Sequence, residues 1–312
     1  KIMASAKKKD DAGSPDNSDE FKATKWRVGV VQMTSCSDPE KNIKFAQFMC
    51  EEASKQGVKM VCFPENFAFM GLSSIESQKF SQPLNGKVIS EYCQLAKKFG
   101  LFLSLGGFQE KRPNRSKIHN THILVDPSGS IVGKYRKAHL FDVDVPNGQS
   151  FRESAFTEPG KSMALARTPL GNFGITVCYD IRFPEMYCSL RRAGANILLI
   201  PAAFAMKTGR AHWEVLLRAR AIENQCYVIA AAQCGKHNVD RYHNETKKTP
   251  RESYGDACVI DPWGTVIARG VEGTPGLSVA TIDLLHVRKI RRAMPVADHR
   301  RADIYAKFKD GT

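Results

Sequence analysis

The 312 residues are 42% hydrophobic and 25% charged, a balance that supports a large globular core and excludes a chain too polar to fold. No stretch approaches the roughly 20 apolar residues that a membrane-spanning helix needs, so no membrane partner is expected. The net charge of +14 raises the question of nucleic acid. Its cations gather in the loop 236–251 and the segment 286–312, without interleaved aromatics or a known binding pattern, so no specific nucleic-acid partner is expected.

Residues 1–24 are polar, mixed in charge and poor in large apolar side chains, and read as a disordered leader. Its acids Asp10, Asp11, Asp16 and Glu20 argue against an organellar transit peptide. A single domain is expected over 25–295, followed by a basic tail over 296–312. The nine cysteines show no C-x-x-C pair and no zinc-site spacing, which predicts reduced thiols, a cytoplasmic location, and neither metal nor cofactor.

From Arg27 the pattern alternates. Val28 to Met33 reads as a strand, and Asp38-Pro39 as a helix start with cap and first-turn proline. Ile43, Ala46, Met49, Cys50 and Ala53 keep helical spacing to Gly57, and Val58 to Phe63 is the next strand. Val88, Tyr92, Leu95 and Phe99 mark a second helix stopping at Gly100, followed by a strand from Leu101 to Leu105. The segment 122–132 resembles 257–267: each is strand, Asp-Pro-x-Gly turn, strand. Between them, helices are predicted from Pro184 to about Ala193 and from about Ala211 to Asn224, with strands at 196–200 and 226–232. Two such rounds suggest two related sheets with helices outside. The stretch 236–251 reads as a long polar loop.

Three residues follow apolar strands: Glu65 in Phe63-Pro64-Glu65, Lys137 in Tyr135-Arg136-Lys137, and Cys178 after Ile175-Thr176-Val177. Each alone has an ordinary reading, as a loop acid, a surface lysine and a small buried thiol. Together they supply a base for the thiol proton, a cation for a carbonyl oxygen that gains charge, and a nucleophile at the start of a helical turn, where the N–H of Tyr179 adds a second oxyanion donor. That set implies acyl transfer from an amide or nitrile through a thioester, with no cofactor.

At these residues the chain resembles the nitrilase superfamily of carbon–nitrogen hydrolases, whose signature is a Pro-Glu turn, a Tyr-Arg-Lys strand end and a Cys followed by Tyr-Asp and Arg-Phe-Pro-Glu. The resemblance runs over about residues 26–300. It implies an α/β fold, a four-layer α-β-β-α sandwich, assembled as a homodimer or homotetramer through outer helices and acting on a small-molecule amide. It also implies a second active-site glutamate, and Glu153 in Phe151-Arg152-Glu153-Ser154 matches that position. The segments 103–110, 211–223 and 230–235 look most like the branch that hydrolyses deaminated glutathione. The omega-amidases of α-ketoglutaramate are the alternative, ahead of a nitrilase or an idle binding protein. In the family the segment after Ile200 approaches the pocket. Lys207 and Arg210 there, with His212 and Trp213 taken as opening the next helix, are therefore the expected contacts for a distal carboxylate.

Overall fold

A computed structural model of the protein describes residues 24–144, 150–246 and 249–305. The expected leader lies outside the described residues except for Thr24, as do residues 306–312 of the expected tail. The first half supplies β1 (Lys25–Met33), α1 (Pro39–Lys55), β2 (Val58–Phe63), α2 (Ser74–Phe80), α3 (Lys87–Phe99), β3 (Phe102–Glu110), β4 (His119–Val125) and β5 (Ile131–Arg136). A short antiparallel pair, β6 (Asp142–Asp144) and β7 (Ser150–Arg152), leads to β8 (Ala164–Thr168) and β9 (Gly171–Ile175). After these come α4 (Pro184–Arg192), β10 (Ile197–Leu199), α5 (Met206–Asn224), β11 (Tyr227–Ala230) and β12 (Ala232–Lys236). The chain continues through α6 (Val239–Arg241), β13 (Glu252–Tyr254), β14 (Cys258–Ile260), β15 (Val266–Arg269), β16 (Gly276–Asp283), α7 (Leu284–Ala293) and α8 (Ala302–Tyr305).

Two sheets form. One has the order β13-β12-β1-β2-β3-β4-β5, with β16 antiparallel along β1, and the other β15-β14-β11-β10-β9-β8. The alternation of side chains along each strand explains the layering. In β1 and β2, Val28, Val30, Met60 and Cys62 join a core shared with Phe173, Ile175 and the second sheet. Their neighbours Val31, Met33, Val61 and Phe63 face the other way and pack with Ala46, Met49, Tyr92 and Leu95 of α1 and α3. Tyr187 and Leu190 of α4 and Trp213, Leu217 and Ala221 of α5 cover the far side of the second sheet. The result is the four-layer α-β-β-α sandwich.

Local chemistry sets the boundaries. Asp38 caps α1 by accepting from the N–H groups of Glu40 and Lys41, and Gly100 ends α3 in the left-handed conformation with φ 64°. The two Asp-Pro-x-Gly turns are equivalent. Asp126 accepts from the backbone of Ser128 and Ser130, and Asp261 from Trp263 and Thr265, while Gly129 and Gly264 have φ of 85° and 88°.

Two expectations need correction. The helix expected from about Ala211 begins at Met206. Thr208 and Gly209 are weak helix formers, which hides the start. Gly209 is nevertheless required there, because an added Cβ would lie 2.2 Å from the Tyr254 ring. In the stretch read as a long polar loop, residues 236–246 are folded onto the body of the protein. Asn238 bonds to Met70 and Ser37, and Arg241 pairs with Glu76 of α2 and with Glu245. Among the described residues no helix is long and apolar enough to cross a membrane.

Candidate active site

Each of the three strand-end residues reaches one cleft of about 1090 Å³. Glu65 follows β2, Lys137 follows β5 of the same sheet, and Cys178 follows β9 of the other sheet. Lys137 Nζ lies 3.2 Å from Glu65 Oε1 and 2.8 Å from Glu153 Oε2. Asn120 Nδ2 donates to both carboxylates, at 2.8 Å to Glu65 and 3.1 Å to Glu153. The backbone N–H of Phe141 donates to Glu153 at 2.8 Å. Glu65 contacts Cys178 directly, and the N–H of Ala203 points at the sulfur.

Glu65 is held from several sides. Gln233 donates to its carbonyl at 3.0 Å. Gly107, with φ 68°, sits where any Cβ would come within 2.6 Å of Glu65 Cγ. The register of β3 against β4 shifts at this point, so the Gly106–Gly107 step bends the strand and gives the carboxylate room. Cys178 has φ 48°, unusual for a residue with a side chain, and its N–H donates to Pro201 at 2.9 Å. Tyr179 is in the first turn of the following short helical segment (Cys178–Arg182), whose leading N–H groups have no partner within the turn. It lines the cleft beside Cys178 and Lys137.

The electrostatics assign charge. Burial works against the Lys137 ammonium, but the charges of Glu153 and Glu65 outweigh it and push its pKa well above the ordinary lysine range. Burial likewise favours neutral Glu65, yet Lys137 and the hydrogen bonds from Cys178 and Asn120 hold it below the usual carboxylate range. Burial and then the charge of Glu65 push the Cys178 thiol up, against the pull of Lys137. The resting site is therefore a neutral thiol touching a carboxylate, with a cation between two acids. Among the described residues no group of three or more His, Cys, Asp or Glu is arranged to hold a metal ion, and the ammonium of Lys137 occupies the position between the carboxylates.

The distal candidates separate. Lys207 lines the cleft; Arg210, His212 and Trp213 are not among its lining residues. Because α5 starts at Met206, His212 and Trp213 sit in its second turn, away from the free N–H groups expected of them. Trp213 is 1% exposed and donates to the Asp256 carbonyl, so it is part of the core. His212 is exposed and accepts from Arg182 at 3.3 Å, and Arg210 is exposed on the helix surface. The helix start that does face the cleft carries Ala205, Lys207 and Thr208.

Sequence reasoning passed over Asn120, Arg182 and Arg251. Asn120 carries no motif signal. Arg182 lies inside the recognised Arg-Phe-Pro-Glu stretch, and Arg251 in the segment read as a polar loop. Arg182 and Arg251 both line the cleft, and neither has a carboxylate partner among the described residues. Arg182 is held over the rings of Tyr179 and Phe204.

Comparison with known proteins agrees with this geometry. The sequence profile of the carbon–nitrogen hydrolases matches residues 27–292. Deaminated glutathione amidase from Homo sapiens is 48% identical over 285 residues, covering 90% of this chain and 84% of that protein. The crystal structure of the C. elegans NitFhit protein superposes with a TM-score of 0.82 at 42% identity, over 91% of this chain and 66% of that one. Saccharomyces cerevisiae Nit3, a member of branch 10 of the nitrilase superfamily, gives 0.77 at 31% identity, over 89% and 97% of the two chains. The chain belongs to the carbon–nitrogen hydrolase family, the nitrilase superfamily.

Proposed function

We propose that this protein is an amidase that cleaves deaminated glutathione through a thioester on Cys178. The observation that carries the reading is the contact of Glu65 with both Lys137 and Cys178 in one cleft. Glu65 takes the thiol proton as the sulfur attacks the amide carbonyl. Lys137 and the N–H of Tyr179 bind the oxygen that becomes negative. Glu65 returns the proton to the leaving amine, then deprotonates the water that hydrolyses the thioester. Glu153, Asn120 and the Phe141 N–H keep Lys137 in place.

The choice of amide rests on the outer cleft and on the name of the human relative. Deaminated glutathione carries a keto acid at one end and a glycine carboxylate at the other, whereas α-ketoglutaramate lacks the second. Arg182, Lys207, Arg251 and the start of α5 line the cleft beyond the catalytic group, with Glu252 as an opposing acid. A charge-assisted contact is worth roughly 1.5–3 kcal/mol, about tenfold to a hundredfold in selectivity. Deaminated glutathione is therefore expected to exceed α-ketoglutaramate in kcat/KM by at least about tenfold. Preference for the shorter amide would move the protein to the omega-amidases.

Assembly as a homodimer or homotetramer is part of the same reading. Val215 and Ile222 on the outer face of α5 and the nearby Trp263 are 69%, 50% and 58% exposed, an apolar surface of the kind a second copy covers. None of the nine cysteines, all among the described residues, is in a disulfide, which supports work in a reducing, cytoplasmic compartment.

A further inference from the structure

Lys137 and Cys178 follow strands of different sheets, and the core between those sheets is largely apolar, crossed near Cys178 by the bond of the His122 ring to the Thr176 carbonyl. Apolar contact is non-directional and does not by itself fix a lysine against a sulfur to within tenths of an ångström. Such accuracy matters, because a displacement of about 1 Å in a reacting constellation can cost roughly a hundredfold in rate.

One buried carboxylate spans the gap. Asp180 is fully buried. Its Oδ2 accepts from the hydroxyl of Tyr135 and from the N–H of Val177, both at 2.9 Å. Its Oδ1 accepts from the N–H of His139 at 3.2 Å and lies 2.7 Å from His139 Nδ1. The Tyr135 hydroxyl in turn accepts from the N–H of Ala138 at 2.9 Å. The partners are thus Tyr135, Ala138 and His139 on either side of Lys137, and Val177 immediately before Cys178. His139 is kept in place by stacking on Phe183, with ring centroids 3.7 Å apart.

We propose that Asp180 is a positioning residue, clamping the turn that carries Lys137 to the turn that carries Cys178. The inference rests on the thioester reading above. A buried carboxylate is expensive unless all its acceptor sites are used. Here four donors fill them, and every donor comes from the two turns that the reaction must hold together. The clamp also supports the backbone of Cys178, whose positive φ persists only where its surroundings dictate it. Asparagine cannot substitute, because its amide N–H groups would face either Tyr135 and Val177 or the two donors of His139.

The test uses the full-length chain with Asp180→Asn, Tyr135→Phe and the double variant. Active sites are counted by stoichiometric alkylation of Cys178, and turnover is expressed per titrated thiol. Asp180→Asn is expected to lower kcat about a hundredfold with KM within about threefold, and Tyr135→Phe to lower kcat roughly tenfold. Tyr135→Phe should add less than about twofold on the Asp180→Asn background, since both break one path. The rate of Cys178 alkylation, which needs no substrate, should fall in parallel. Wild-type turnover of the amide tests the thioester reading independently. If that turnover is absent, the alkylation rates alone decide the clamp. If Asp180→Asn fails to fold, Tyr135→Phe and His139→Ala carry the same measurements. Unchanged kcat per thiol and unchanged alkylation, with only thermal stability lowered, would overturn the proposal.

Discussion

At the floor of the cleft, Glu65, Lys137, Glu153 and Cys178 are each no more than 9% exposed, and neighbouring groups hold every one. At its mouth, Lys207 and Arg251 are exposed, and the Arg251 guanidinium makes a long 3.5 Å bond to the Ala203 carbonyl. The floor stands on strand ends of two packed sheets; the mouth is assembled from the segments around 71–77 and 203–208 with Tyr242 and residues 249–252. A dry, fully hydrogen-bonded floor makes each charge strong and immobile, as stabilisation of a transition state requires. A wet mouth can supply attraction and selection, but its contacts are weakened by solvent. Changes at the floor should therefore act on kcat, and changes at the mouth on KM.

The largest effect should come from the nucleophile. Cys178→Ala is expected to bring turnover to background, a loss on the scale of a millionfold as for other nucleophiles, while retaining the folded circular dichroism spectrum. Measurable turnover above a mock preparation would remove Cys178 from the chemistry. Lys137→Arg comes next. The guanidinium keeps the charge, but its planar fork does not fit a pocket where Nζ sits 2.8 Å from Glu153 and 3.2 Å from Glu65. A loss of about a hundredfold or more in kcat is expected, equivalent to losing an oxyanion donor. Near-normal kcat with raised KM would place Lys137 functionally with the mouth.

Legibility in the sequence follows the same division. Glu65, Lys137 and Cys178 could be read because each ends an apolar strand and carries a short motif, and Glu153 because its neighbours match the family. Asn120 could not be read. It reaches both carboxylates only through the pairing of β4 with β3 and β5, and the residues around it carry no signal. The strand and helix alternation suggested two related sheets with helices outside, since period and turn chemistry are local properties, while the four-layer sandwich was implied by the family resemblance. The mouth was obscure because its residues meet through tertiary packing, and because Gly209, placed by the Tyr254 ring, disguised the start of α5.

Acid should test both ends at once. Burial holds His122 and His237 neutral, with pKa values lowered from 6.5 to about 4; the charge of Arg251 adds to the effect at His237. His122 bonds the Thr176 carbonyl behind Cys178, and His237 bonds Ser35 and Ser253 beside the mouth segment. As pH falls below 6.5, the unfolded chain takes up protons that the folded one refuses until about 4. Stability is thus fully present above 6.5 and declines through that window, by up to a few kcal/mol for each group. Urea midpoints at pH 7, 5.5 and 4.5 should fall steadily, and more gently in His122→Gln. A flat series would mean that neither imidazole is held neutral.

The smallest effects separate two arginines. Arg251 lines the mouth and has no carboxylate partner among the described residues, whereas Arg210 lies on the outside of α5. The sequence alone favoured Arg210, since it follows a strand that ends near the pocket. The true start of α5 at Met206 rotates Arg210 off the cleft and leaves Lys207 facing it. Arg251→Ala should raise KM for deaminated glutathione by about tenfold, the lower range of one charge-assisted contact, and leave kcat within about twofold. For α-ketoglutaramate, which has no distal carboxylate, KM should change less, so the ratio between the substrates narrows. Arg210→Ala should leave both substrates within about twofold, as ordinary surface changes do. Equal narrowing by the two variants would point to the general positive field of the surface, and raising ionic strength would then erase both effects together. A fall in kcat with Arg251→Ala would instead mean that the mouth reaches the chemistry, and the division between holding and selecting would fail at its most exposed member.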